Sequence, residues 1–71
     1  MNRISVSSTN ISSIGHCADS SVLEVEFLKG GIYNYYGISE QLYHDLLNAG
    51  SKGQFLNQYI KNAGYTYTKV G

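Results

Sequence analysis

The sequence predicts an α+β fold in which two helices pack on one face of an antiparallel sheet of three or four strands, in the order β-β-β-α-α-β. Three observations predict it. Val22 to Leu28 alternates apolar and acidic side chains, as a half-buried strand does. The glycine-rich segment Lys29 to Gly31 suits a hairpin loop before a second aromatic strand, Ile32 to Tyr36. Residues 38–60 then carry apolar side chains at helical spacing.

The N-terminal part of the sequence predicts strands less clearly, because its alternation of apolar and polar residues is less regular. Residues 3–9 alternate Ile4 and Val6 with serines, which is typical of a short edge strand. Ile11 to Cys17 has a less regular alternation, so we expect a strand that contains a bulge. Ala18 to Ser21 is a turn by composition, because its polar side chains can bond the local backbone.

The register of the hairpin follows from its faces. A three-residue loop places Phe27 opposite Tyr33 and Val25 opposite Tyr35, so both tyrosines share the apolar face. A two-residue loop would place Phe27 opposite Asn34 instead. We therefore predict the three-residue loop.

Two helices and a last strand complete the chain. Ser39 suits the N-cap of the first helix, and Gly50 suits its C′ position. Ser51 and Gln54 have capping-box spacing and predict the start of a second helix, which ends at 62–64. The expected buried stripes are Leu42, Tyr43, Leu46 and Leu47 in the first helix and Phe55, Leu56, Tyr59 and Ile60 in the second. Residues 65–70 form a strand beside either an N-terminal strand or the hairpin.

Length and composition limit the function classes. The 71 residues, taken as one domain over 1–71, include five basic and five acidic side chains, and the net charge of zero excludes strong, salt-driven binding to nucleic acid or membranes. No apolar run suits a membrane span or a signal peptide. The one cysteine, Cys17, has no partner for a disulfide within the chain, so we expect a cytoplasmic protein.

Candidate catalytic groups do not form a site. His16 and Cys17 are neighbours on a strand, so their side chains point to opposite faces and do not form a dyad. Glu24 and Glu26 share a strand face, which is more typical of a solvated face than of a carboxylate pair. With His44 as the only other histidine, no metal-ligand spacing occurs. We predict a protein that is not an enzyme and has no cofactor or metal.

The segment around Ser51 and Lys52 suits two roles. Free backbone N–H groups at the start of a helix favour an anion, and Lys52 adds positive charge. The capping role of Ser51 explains the same residues without a ligand, and we favour it.

The charges are unevenly distributed. All five acids lie between Asp19 and Asp45, whereas residues 46–71 contain three lysines and no acid. Lysines among aromatic rings are typical of proteins that bind single-stranded nucleic acid, with phosphates on the lysines and bases on the rings. The candidate binding residues are Ser51, Lys52, Lys61, Tyr67 and Lys69.

Several of these features coincide with one family. The chain resembles the KTSC domain, a small module that is also found at the C-terminus of some lysyl-tRNA synthetases. The resemblance covers about residues 6–69, and His16 departs from it, since the family usually has tyrosine there. The residues that carry it are Val6-Ser7-Ser8, Ile14-Gly15, Leu23, Val25, Phe27, Tyr33-Asn34-Tyr35, Tyr43, Leu46, Ala49, Ser51, Gly53, Phe55, Asn57, Ile60-Lys61 and Tyr65.

The resemblance implies RNA binding, which has been suggested for the family from its association with the synthetase. We therefore expect a non-enzymatic module that binds RNA or single-stranded nucleic acid weakly. The alternative is a protein–protein interaction module or a homodimer formed through an exposed strand edge. The predicted register gives the signature residues Tyr33 and Tyr35 a core position, so the binding face is expected elsewhere, at the candidate residues above.

Overall fold

The computed structural model describes residues 2–71 and has a single antiparallel sheet of five strands in sequence order, with two short helices. The predicted α+β class is confirmed, but the order is β-β-β-β-α-α-β and the sheet has five strands rather than three or four. The elements are β1 (Ile4–Ser5), β2 (Ile11–Cys17), β3 (Val22–Phe27), β4 (Gly31–Tyr36), α1 (Glu40–Leu47), α2 (Lys52–Tyr59), a 3-10 turn (Lys61–Ala63) and β5 (Tyr67–Lys69).

The N-terminal strands explain the higher strand count. β1 has two residues and pairs Ile4 with Ile14 and Ser5 with Ser13 at one edge of the sheet. A strand this short has no periodicity to recognise, although an edge strand was expected in this region. The predicted bulge in β2 is confirmed, since the register shifts between Ile11 and Ser13.

The central hairpin corrects the predicted register by one pair. The loop has three residues, as predicted, but they are residues 28–30, and Phe27 lies opposite Gly31 rather than Tyr33. Val25 lies opposite Tyr33, and Leu23 lies opposite Tyr35. Each residue of β3 therefore lies opposite a β4 residue two positions earlier in the chain than predicted. A difference of two positions leaves every side chain on its predicted face of the sheet. The hydrophobic pattern alone therefore does not distinguish the two registers.

The last strand joins the hairpin, one of the two positions left open by the sequence. β5 pairs with β4, with Tyr67 opposite Tyr35 and Lys69 opposite Tyr33. The chain continues past β5 alongside β4, because the Ile32 N–H donates to the Gly71 carbonyl at 3.1 Å. β1 and β5 are therefore the two edges of the sheet.

Both helices begin at the predicted serines. Ser39 Oγ accepts from the Leu42 N–H at 3.1 Å, and Ser51 Oγ accepts from the Gln54 N–H at 3.4 Å. The predicted C′ position at Gly50 is wrong. α1 ends earlier, at Leu47, with its backbone cap at the next residue. Each helix has eight residues, and no helix within residues 2–71 is long and apolar enough to cross a membrane.

The core lies between the helices and one face of the sheet. Side chains from β2, β3 and β4 form one cluster with side chains from the helical half, so the helices cover a single face, as predicted. Tyr59 is an exception to the predicted stripe of α2, since it is 49% exposed, and its ring packs at a tilt against Phe55 with the centroids 4.6 Å apart. The fully buried apolar residues of the cluster are Ile11, Ile14, Leu23, Val25, Ile38, Leu46, Leu56 and Ile60.

Alanine substitutions at three glycines distinguish the cost of backbone strain from the cost of steric crowding. Gly31 has φ of +84°, and a Cβ there would contact the Gly71 carbonyl oxygen, so Gly31→Ala must both adopt a left-handed conformation and displace the chain beyond β5. Gly64 has φ of +88° with nothing near its missing Cβ. We expect Gly64→Ala to lower the free energy of unfolding by about 1 kcal/mol through strain alone, and Gly31→Ala to lower it further. Chemical denaturation measures both.

Gly50→Ala is the matched control, because Gly50 lies in open space and has no positive φ. Its unfolding free energy should stay within about 0.5 kcal/mol of the parent protein. If Gly31→Ala is no more destabilised than Gly64→Ala, the packing of residue 71 against β4 contributes nothing to stability.

Candidate functional site

A cleft opens between α2 and the helix-facing side of the sheet, next to the core. It encloses a cavity of about 700 Å³. The sheet and the loop between β3 and β4 form one wall, and α2 with the loop before β2 forms the other. The cleft exists because β4 and β5 extend the sheet to a part of its face where side chains are no longer covered by the helices.

The sheet contributes an aromatic wall. Tyr33 and Tyr35 are two residues apart on β4, so their side chains lie on the same face of the sheet. Pairing with β5 brings Tyr67 beside them. The Tyr35 and Tyr67 ring centroids are 5.8 Å apart, and Phe27 meets Tyr33 edge to face at 5.7 Å. Exposure rises steeply along this wall, from 3% for Tyr35 to 62% for Tyr67. Tyr35 therefore forms the floor of the cleft, and Tyr67 presents its ring to solvent.

Burial also changes the acidity of the floor. Removal of the Tyr35 phenol from water raises its pKa to about 12, and the neighbouring Tyr33 and Tyr67 hydroxyls add to this when they ionise. A tyrosine with the ordinary pKa of about 10 is already neutral at physiological pH, so the shift extends the neutral state of Tyr35 to more alkaline pH. Tyr35 thus offers the cleft a neutral aromatic surface.

The helix contributes a polar wall. Gly53 and Asn57 are four residues apart and share one side of α2, and Lys61 begins the 3-10 turn that follows the helix. All three line the cleft, together with Leu56 at its apolar base. The Lys61 ammonium lies 4.7 Å from the centroid of the Phe27 ring, where the negative face of the ring attracts it. The two walls thus meet at this cation–π contact.

The charge of the cleft differs from the net charge of the chain. Its lining includes Lys29 and Lys61 and no carboxylate. Glu24 and Glu26 lie on the opposite face of the sheet, where Arg3 Nη1 approaches Glu24 Oε2 at 2.6 Å. Because the sheet separates the central acids from the cleft, a neutral chain presents a positive cleft.

The predicted binding residues fall in different places. The structure brings Lys61 and Tyr67 together in the cleft. Ser51 and Lys52 line a separate, smaller depression, where Ser51 caps α2 and Lys52 Nζ donates to the Ala49 carbonyl at 3.4 Å. Lys69 is two residues from Tyr67 on β5 and does not line the cleft.

The signature tyrosines have both a core and a site position. Tyr35 is a member of the buried cluster and Tyr33 packs against it, yet both also line the cleft. The expectation of a core role therefore describes only one side of each ring.

His16 and Cys17 point to opposite faces of β2, as predicted. His16 lies opposite buried Leu23, stacks on Tyr43 at 5.1 Å, and its Nε2 lies 2.7 Å from the Ile38 carbonyl. Cys17 lies on the other face, where a hydrogen bond with the Ser20 side chain lowers the pKa of the thiol. Residues 2–71 contain no group of three or more His, Cys, Asp or Glu side chains that could hold a metal ion.

Comparison with known proteins gives the family. The KTSC domain model matches residues 7–67. The chain belongs to the KTSC domain family. It is 33% identical over 70 residues to an uncharacterized protein of Stutzerimonas stutzeri, and the match covers 99% of both chains. The crystal structure of a KTSC domain protein from Yersinia pestis has a TM-score of 0.94 and 37% identity, covering 99% of this chain and 97% of the other.

A segment similar to part of this chain also occurs within a larger enzyme. A lysine–tRNA ligase of Nostoc punctiforme is 40% identical over 42 residues, which is 59% of this chain and 8% of the enzyme. The KTSC-like segment is therefore a small part of that enzyme.

Several residues of the cleft in this KTSC domain were missed by the sequence reasoning, among them Asn57, Phe27, Lys29 and Asn10. Asn57 could have been found, because it lies four residues from both Gly53 and Lys61. Phe27 and Lys29 belong to the hairpin that was assigned to the core and its loop. Asn10 gave no signal, since it comes from an irregular segment whose position depends on the fold.

The raised pKa of Tyr35 predicts a loss of stability at high pH. The folded pKa of about 12 lies above the ordinary value of 10, so the folded chain retains the proton after the unfolded chain has lost it. The contribution is fully present below about pH 10 and is lost between about pH 10 and 12, with a slope of up to about 1.4 kcal/mol per pH unit. Tyr35→Phe should lack this part of the pH dependence in denaturant unfolding.

Tyr59→Phe is the control, because Tyr59 does not line the cleft. Titration of tyrosinate absorbance should keep its most alkaline step in Tyr59→Phe and lose it in Tyr35→Phe. If both variants keep that step, Tyr35 is not the tyrosine whose pKa burial raises, and its assignment as the buried floor of the cleft is wrong.

Proposed function

We propose that this KTSC domain binds a short segment of RNA or other single-stranded nucleic acid in the cleft, weakly and without catalysing a reaction. One observation carries the proposal: the exposed Tyr67 ring lies in a cleft that contains Lys61 and no carboxylate. Bases stack on aromatic rings and phosphates pair with lysines in proteins that bind single strands. No cofactor or metal is required, and we place the protein in the cytoplasm on account of its one unpaired cysteine.

The size of the cleft supports a short ligand. A cavity of about 700 Å³ is within the range of pockets that hold small organic ligands. Room for about one or two nucleotides follows from this volume. The strand would continue outside the cleft over the edge at β5.

The family context also favours RNA. One relative that contains a similar segment is a lysine–tRNA ligase, an enzyme whose name gives tRNA as a substrate. A small module with affinity for single-stranded RNA would suit attachment to such an enzyme. The same affinity for RNA would also be useful in a protein that consists mainly of this module.

The number of lysines sets the strength of binding. Lys29 and Lys61 are the cations that line the cleft. If each pairs with one phosphate of a single strand, the slope of log affinity against log salt is about −1.4. A slope this shallow means that electrostatics contribute little at physiological salt and that stacking supplies much of the binding free energy.

We expect Tyr67→Ala to weaken binding of a fluorescently labelled single-stranded RNA at least about fivefold, since base–aromatic stacking contributes roughly 1–3 kcal/mol. Lys61→Gln should weaken binding and reduce the salt slope by about 0.7, because one phosphate contact is lost. Fluorescence anisotropy at several salt concentrations measures both effects.

Two variants outside the cleft are matched controls. Tyr59→Ala removes another exposed tyrosine, and Lys52→Gln removes a lysine of the separate depression. Both should bind as the parent protein does. If Lys52→Gln weakens binding and Lys61→Gln does not, the site lies at the start of α2 instead of in the cleft.

A second candidate function is pairing with a protein strand or with a second copy of the chain. The observation that favours it is the edge strand β5, whose residues 67–69 are all exposed and have a neighbour on one side only. A dimer would appear in light scattering as a doubled mass. A dimer that ignores RNA would replace the nucleic-acid proposal with this one.

A further inference from the structure

The polar wall of the cleft holds two side-chain amides, those of Asn10 and Asn57. Gly53 has no side chain, and a Cβ there would lie 3.0 Å from Asn10 Nδ2, so the Asn10 amide occupies the space beside the helix at this point. Asn57 follows Gly53 by one helical turn on the same side. The Asn10 and Asn57 side chains therefore both lie on this wall of the cleft, and Lys61 follows on the same wall in the 3-10 turn after α2.

Both amides are available to a ligand. Asn10 is fixed through its backbone: its N–H donates to Ser8 Oγ at 3.2 Å, and its carbonyl accepts from the Leu28 N–H at 2.9 Å. Asn10 and Asn57 are exposed residues that line the cavity. The fold therefore holds the Asn10 backbone in place and leaves its side chain free to form hydrogen bonds in the cleft.

The aromatic wall determines where a base would present its edge. Lys61 lies over the Phe27 ring, Tyr35 is buried, and Tyr67 is the ring that is mostly exposed. A base stacked on Tyr67 would turn its hydrogen-bonding edge toward the facing wall, which holds the two amides. Its phosphate would lie toward Lys61, in the 3-10 turn after α2.

We infer that Asn10 and Asn57 read the Hoogsteen edge of the base in this cleft, the edge that a duplex shows in its major groove, and that they favour adenine; the inference rests on the nucleic-acid function proposed above. An asparagine amide carries one donor and one acceptor side by side, which matches the N6 donor and N7 acceptor of adenine. The corresponding edge of guanine offers two acceptors and suits a cation better. Cytosine and uracil lack N7 on this edge, and adenine provides the larger stacking surface of a purine.

The experiment uses the full chain and RNA oligomers of about six nucleotides, uridine at every position except one central base. That base is adenine, cytosine, guanine or uracil. Anisotropy at low salt should give the adenine oligomer about fivefold tighter binding than the guanine oligomer, which stacks as a purine too; this is the lower end of the discrimination by one amide–base pair. Asn57→Leu should reduce this ratio toward one.

Gln58→Leu is the matched control, since it removes the neighbouring exposed amide of α2, which does not line the cleft. It should keep the adenine preference. Asn10→Ala, in a loop, provides a second test of the preference if Asn57→Leu fails to fold as judged by circular dichroism.

The outcomes separate the two proposals. Equal binding of the adenine and guanine oligomers, or a preference for adenine over guanine that survives both Asn57→Leu and Asn10→Ala, overturns the adenine inference alone. A guanine preference overturns it too and assigns base reading to Lys61. Absence of binding to any oligomer overturns the nucleic-acid function, and the inference falls with it.

Discussion

The structure depends on the antiparallel pairing of β3 with β4. This pairing places Leu23 opposite Tyr35 and Val25 opposite Tyr33. These two aliphatic side chains of β3 therefore each lie beside a tyrosine of β4 on the same face of the sheet. The helices then have one apolar surface to cover. A slip by a single residue would turn the tyrosines to the other face and bring the glutamates into the core.

The sheet is wider than the pair of helices that covers it. Each helix has eight residues, whereas the sheet has five strands, so the face beyond β4 is only partly covered. Tyr35 and Tyr67 lie opposite each other on neighbouring strands, yet one is buried and the other is exposed. The cleft arises at this boundary between covered and uncovered sheet. It requires no special loop, only the addition of β5 to a sheet whose helices do not extend over it.

Local chemistry made much of the fold predictable from the sequence. Ser39 and Ser51 fixed the helix starts because capping is decided within four residues, and the alternation in β3 fixed its faces. The partner of β5, the one-pair shift of the hairpin and the exposure of Tyr59 depend on contacts between distant segments, which a single sequence does not reveal. The same holds for the site. Lys61 and Tyr67 were predicted from composition, whereas Asn10 reaches the cleft only through tertiary packing.

The separation of charges across the sheet has a further consequence for encounters with other molecules. Arg3, Glu24 and Glu26 lie on one side, and the lysines of the cleft lie on the other. The domain measures 22 Å along its shortest axis, which exceeds the Debye length of about 8 Å at physiological ionic strength. A molecule at the surface therefore interacts mainly with the charges of the face in front of it. The neutral domain exerts almost no attraction at long range, and its two faces behave at short range as surfaces of different sign, so that the direction of approach decides whether a polyanion is held.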